Sequence, residues 1–216
     1  MSETLKKLKK AVLEGDDDLA LSLAQKSLEE GAQPLAIVNE AIVAGIQEAG
    51  ELWKKNEYFQ SDMIMSAEAF RAAMEVVEPN LAAGETSTAG KLVIGTIAGD
   101  MHNLGKIMVV AMLRGAGFHV IDLGEDVPTK IFIDKVKELK PDILGLGCYM
   151  TTTMAEMENV IKHLEESGLR DSVKVMIGGV PTSQGYANES GADAWGKDAL
   201  DAVEKAQRLM DGGKLE

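Results

Sequence analysis

The chain has 216 residues, 45% of them hydrophobic and 26% charged, enough for one large or two small globular domains with a real core. Its formal net charge of -13 disfavours phosphate-backbone binding, which rests on basic patches, and it disfavours anionic membrane surfaces. The start MSETLKKLKK lacks the apolar core of a secretory signal, and no run approaches the roughly 18 apolar residues that span a bilayer. With one cysteine, Cys148, no intramolecular disulfide forms, and a cytoplasmic, reducing compartment is expected.

From Met1 to about Asn80 the pattern predicts four helices and no strand. Leu5, Leu8 and Val12 mark the first. The acidic run Asp16 to Asp18 suits the positive start of a second, with Leu19, Leu23 and Leu28 on one side. Pro34 opens a third, which carries Val38, Ile42 and Ile46 at i, i+4 and i+8. Ser61 and Asp62 offer capping oxygens for a fourth, above Ile64, Ala67, Phe70, Met74 and Val77. The small, polar stretch Leu81 to Gly90 reads as a linker.

After Lys91 the pattern changes. LVIGTI, FHVIDL, DILGLGCY and VKVMIGG are apolar runs of strand length, and a last short strand is expected around Ala192 to Trp195. Helical stretches separate them, at about Asn103 to Gly115, Pro128 to Lys140 and Met154 to Ser167, with a final helix from about Lys197 to Met210. Continuous apolar strands alternating with helices predict a parallel sheet covered on both faces. Five strands point to a flavodoxin-like (Rossmann-like) α/β domain of order 2-1-3-4-5, with its ligand crevice where strands 1 and 3 diverge. The expected division is 1–88 for an all-α four-helix bundle and 89–216 for the α/β domain.

Three loops at the carboxyl end of this sheet carry unusual residues: Gly99 to Gly105, Gly147 to Thr153, and Gly178 to Ser183. Asp100 and His102, one residue apart, can point the same way from an extended loop. A carboxylate on one imidazole nitrogen sets the tautomer and leaves the other nitrogen as a basic lone pair for a metal. Asp-x-His in isolation reads first as a solvated loop histidine with an incidental acidic neighbour. One histidine is too few ligands for zinc, so it makes sense as a ligand only if a macrocycle supplies the rest. Thr151, Thr152 and Thr153 offer hydroxyls to a polar cofactor edge, although Thr152 or Thr153 serves equally as a helix cap. The Gly178-Gly179 pair permits close approach of a bulky group, or simply a tight turn. His119 and His163, on a strand start and a helix, read as structural or solvated, and Cys148 as a small buried hydrophobe.

Asp100-Met101-His102-Asn103-Leu104-Gly105 has the form D-x-H-x-x-G. With Gly178-Gly179 and the preceding helices it resembles the corrinoid proteins of methylamine, methanol and O-demethylase methyltransferase systems. The same arrangement is similar to the cap and cobalamin-binding module of cobalamin-dependent methionine synthase. The resemblance spans essentially the whole chain. It implies cobalamin bound base-off/His-on, with His102 as the cobalt ligand and Asp100 holding its other nitrogen. It further implies cofactor contacts from Met101, Asn103, Gly105 and Lys106 in the first loop. Gly147, Tyr149, Thr151 and Thr152 would contribute from the second, and Gly178 and Gly179 from the third. Trp53 and Met63, in the segment Glu51 to Met63, fall where the family places apolar residues over the methyl group, and Gln60 falls where another is usual. The family has Ser-x-Leu where this chain has Gly147-Cys148-Tyr149.

The implied function is a methyl carrier without turnover of its own. It would accept a methyl group on Co(I) from a substrate-specific methyltransferase and pass it to a second one with a tetrahydrofolate or thiol acceptor. A reductive activase would be a further partner, with no nucleic acid and no membrane. Two alternatives are a B12-dependent sensor or regulator, which would need a DNA-binding domain, and a phosphorelay or nucleotide-binding protein, which leaves the helical half unexplained.

Overall fold

In the computed structural model, which describes residues 1–80 and 89–212, every element before β1 is helical. Helix α1 (Glu3–Glu14) starts at Ser2, whose hydroxyl accepts the Leu5 N–H, and buries Leu5, Leu8 and Val12. Helix α2 (Asp17–Glu29) is capped by the Asp16 carboxylate, and Asp17 and Asp18 fill its first turn, as the helix dipole favours. Its buried side is made of Ala20, Leu23, Ala24 and Ser27, whereas Leu19, expected inward, is 44% exposed. This side packs against α1 and α5.

The third predicted helix is interrupted. A turn of α-helix, α3 (Pro34–Ile37), passes into a π-helical segment, Val38–Val43, and then into α4 (Ala44–Lys54). Val38, Ile42 and Ile46 stay buried throughout. Helix α5 (Gln60–Val77) starts a residue before the expected caps. Phe59 is the capping residue, and Asp62 sits three further on, where its carboxylate reaches back to accept the Phe59 N–H at 2.8 Å. Met63, Ala67, Phe70, Met74 and Val77 are buried, while Ile64 is only partly so. The expected linker lies outside the described residues except for Ala89 and Gly90.

From Gly90 onward the chain alternates strand and helix. The elements are β1 (Gly90–Thr96), α6 (Leu104–Gly115), β2 (Phe118–Asp122), α7 (Thr129–Leu139), β3 (Ile143–Gly147), α8 (Ala155–Glu166) and β4 (Lys174–Gly178). After these come α9 (Gln184–Ser190), β5 (Ala194–Gly196) and α10 (Ala199–Met210). All pairings are parallel and the order is β2-β1-β3-β4-β5, as the pattern predicted. The contacts divide the chain into two compact units. One holds the N-terminal helices and Ala111–Gly117; the other holds Ala89–Val110 and the chain from Phe118.

One core of the sheet unit gathers Val93, Leu144, Leu146, Val175 and Ile177 from the strands with Phe132, Val136, Met157, Ile161 and Leu164 from α7 and α8. Leu92, Ile94, Ile143 and Met176, alternating with these along the strands, are buried too. Both faces being covered explains why the strands read as unbroken apolar runs. Helix α9 has no counterpart in the sequence reading. Seven residues are too few to show a helical period, and its signal is the Ser183 hydroxyl that accepts the Tyr186 N–H. No helix among the described residues is long and apolar enough to cross a membrane.

Candidate cofactor-binding site

The three predicted loops leave the carboxyl ends of β1, β3 and β4, three neighbouring strands. Backbone bonds that continue the sheet tie them together: Ile97 N–H to the Gly147 carbonyl at 3.1 Å, and Cys148 N–H to the Gly178 carbonyl at 3.0 Å. The first loop has two further ties. The buried Thr96 hydroxyl donates to the His102 carbonyl at 3.1 Å, and the Asp126 carboxylate accepts the Gly99 N–H at 2.6 Å.

Asp100 is the hub. Its carboxylate is fully buried and accepts four hydrogen bonds. Oδ1 takes the His102 backbone N–H at 3.1 Å and Nδ1 of the His102 ring at 2.8 Å. Oδ2 takes the Tyr149 and Met150 backbone N–H groups at 2.6 and 3.2 Å. Burial pushes the Asp100 pKa up, but the Tyr149 and His102 amides and the imidazole outweigh it and hold the pKa below the usual value. Asp100 is therefore an anion, and an anionic carboxylate only accepts, so the His102 Nδ1 carries the proton. The ring is 61% exposed, which leaves the Nε2 lone pair available to an incoming metal.

Each remaining expected residue has a definite place. Met101 is 71% exposed, and Asn103 is half-buried beside it. Lys106, by contrast, is buried. Its ammonium group donates to both Asp122 oxygens, 2.6 Å from Oδ1, and lies 3.6 Å from Glu125 Oε1. The sequence reading missed this pair because nothing in the local pattern joins position 106 to positions 122 and 125. Thr151 and Thr152 are exposed. Neither Thr152 nor Thr153 caps α8, which begins after Met154; the Thr153 hydroxyl donates instead to the Met150 carbonyl and lies 3.4 Å from the Cys148 sulfur.

The glycines differ in what they are for. A Cβ at Gly147 would meet its nearest atoms at 3.6 Å, ordinary contact, so nothing in the backbone demands glycine there. At Gly179, with φ of +118°, a Cβ would stand 1.7 Å from the Cys148 carbonyl oxygen. Glycine at 179 is thus demanded by the protein's own backbone. At Gly105 a Cβ would meet the Tyr149 ring at 2.8 Å. The Tyr149 ring also stands beside the histidine, with ring centroids 6.2 Å apart.

In the helical unit, Trp53 is partly exposed and Met63 is wholly buried, as ordinary helical core would be. His119 and His163 are exposed on β2 and α8, and the His163 ring bonds the Asn159 carbonyl one turn back.

Among the described residues no group of three or more His, Cys, Asp or Glu side chains is placed to hold a metal ion. The donor set is one imidazole. It suits a metal whose other positions a macrocycle fills. The exposed apolar side chains of Met101, Leu104 and Val180, carried at the same strand ends, suit the apolar edge of such a ring. The residues therefore fit a corrinoid.

Comparison with known proteins agrees. Residues 90–204 match a B12 binding domain model, and residues 4–78 match a second B12 binding domain model. A corrinoid protein of Desulfitobacterium hafniense (strain Y51) is 42% identical over 209 residues, 95% of this chain and 97% of that protein. Trimethylamine corrinoid protein 1 of Methanosarcina acetivorans is 40% identical over 210 residues, 96% of this chain and 97% of its own length. Among solved structures, a chain of the methanol:cobalamin methyltransferase complex from Methanosarcina barkeri superposes with a TM-score of 0.81 at 30% identity. That match covers 99% of this chain and 81% of the other. With D-x-H-x-x-G at the crevice of a 2-1-3-4-5 sheet and relatives matched end to end, this chain belongs to the B12-binding corrinoid proteins.

Proposed function

We propose that this chain is a corrinoid methyl carrier that binds cobalamin base-off, with His102 as the cobalt ligand. One observation carries the reading. A fully buried Asp100 carboxylate, itself fixed by three backbone amides, holds Nδ1 of an exposed imidazole and leaves Nε2 outward. When bound, the corrinoid supplies the methyl-transfer chemistry, taking the group from one methyltransferase and yielding it to another with a tetrahydrofolate or thiol acceptor.

The chain's own residues hold and tune. Asp100 sets the tautomer of His102 and raises the basicity of Nε2. Met101, Asn103, Thr151, Thr152, Gly178 and Gly179 belong to the loops that would receive the ring and its tail. In this reading Lys106 acts through Asp122 rather than by direct contact. Residues 1–88 serve as cap, with Trp53 and Met63 its apolar contribution, and 89–216 as the corrinoid domain. Relatives named for trimethylamine and dimethylamine favour a methylated amine as methyl donor. The partners are then a methylamine methyltransferase, an acceptor methyltransferase and a reductive activase, all in the cytoplasm, where Cys148 stays a thiol.

The test is reconstitution with hydroxocobalamin, read by visible spectrum and by retention on desalting. His102→Ala is expected to change the spectrum and weaken binding about tenfold or more. An unchanged spectrum and affinity would refute His102 as the ligand.

A further inference from the structure

Tyr149 stands in the crevice between the β1 and β3 loops. Its hydroxyl oxygen and Cε1 would both lie 2.8 Å from a Cβ at Gly105, so the phenol rests directly on the first turn of α6. Across the ring, a Cβ at Gly147 would touch Cε2 at 3.6 Å, and the His102 ring lies 6.2 Å away, centroid to centroid. This is the point where the strand order reverses and open α/β sheets take their ligands.

The main chain of Tyr149 cannot easily leave, because its N–H is bonded to the buried Asp100 at 2.6 Å. The side chain is held by less. Ring packing on Gly105 keeps it in place. A corrinoid carried on His102 has its own base off the cobalt. That base would stay tethered to the corrinoid by a nucleotide loop. The loop would need room near His102, and the Tyr149 ring stands there, 6.2 Å from the imidazole.

We propose that the Tyr149 side chain plugs the crevice and is displaced when the nucleotide loop of a corrinoid enters, so that Tyr149 governs uptake according to the tail. The inference rests on the corrinoid reading above.

The experiment measures association rates of the full apo chain with hydroxocobalamin and with cobinamide, which lacks the nucleotide loop. Tyr149→Leu is expected to speed cobalamin uptake about fivefold to tenfold, the worth of the lost ring packing, and to leave cobinamide uptake unchanged. Tyr149→Phe, which keeps the ring, should give a smaller rise. Cobalamin uptake by Tyr149→Leu within about twofold of wild type, or an equal acceleration for both corrinoids, would overturn the plug. A second measurement does not depend on that variant. In protein labelled with 3-fluorotyrosine, the fluorine resonance absent from Tyr149→Phe should shift more with cobalamin than with cobinamide, and equal shifts would also overturn it. Failure of the wild-type chain to take up either corrinoid would sink the carrier reading itself, and the plug with it.

Discussion

Replacing Asp100 by asparagine tests whether the carboxylate is a structural hub as well as a partner of His102. Asparagine keeps one acceptor and turns the other oxygen into a donor. If its oxygen stays with His102, the new NH2 group faces the Tyr149 and Met150 N–H groups, now 2.6 and 3.2 Å from Oδ2. Both amides lose their acceptor at a site with no exposure of the side chain at 100. At about 1–3 kcal/mol for each stranded buried donor, the apo protein should lose about 2–6 kcal/mol. That is a large part of the roughly 5–15 kcal/mol that holds a domain together. His102→Ala should cost no more than about 1 kcal/mol, because the ring is 61% exposed and the backbone N–H of residue 102 still satisfies Oδ1. The assay is urea unfolding of the apo protein in a Trp53→Phe background, where Trp195 on β5 alone reports. Asp100→Asn should still cost about 1–3 kcal/mol with alanine at 102, because either orientation of the amide turns its NH2 group on at least one backbone N–H. A loss below about 0.5 kcal/mol, or one that vanishes when His102 is absent, would refute the hub.

Two other substitutions probe the same strand ends. Gly179→Ala puts a Cβ 1.7 Å from the Cys148 carbonyl oxygen at a φ of +118° and should cost upward of about 3 kcal/mol or prevent folding, read by the same denaturation; a soluble variant of wild-type stability would show that the turn relaxes. Lys106→Met removes a buried ammonium from Asp122 and Glu125, which are 28% and 29% exposed and can rehydrate. It should cost roughly 1–3 kcal/mol, less than breaking a fully enclosed pair, and a neutral result would mean that the pair contributes nothing net.

Much of this protein was legible one residue at a time. Strands buried on both faces must be apolar throughout, so LVIGTI and DILGLG announced a parallel sheet, and the count of strands and helices led to the order 2-1-3-4-5. The motif Asp100-x-His102 is local, and so the imidazole and its carboxylate were visible in the sequence together. Whatever depends on distant residues was not. Asp100 meets Tyr149 and Met150 across some fifty residues, Lys106 meets Asp122 across 16, and Gly179 is glycine because of Cys148. Sequence alone determined that a histidine is presented at the end of the sheet. Tertiary structure decided how firmly it is held and that a tyrosine fills the space beside it, because buried hydrogen bonds and close contacts are set by which strand ends become neighbours.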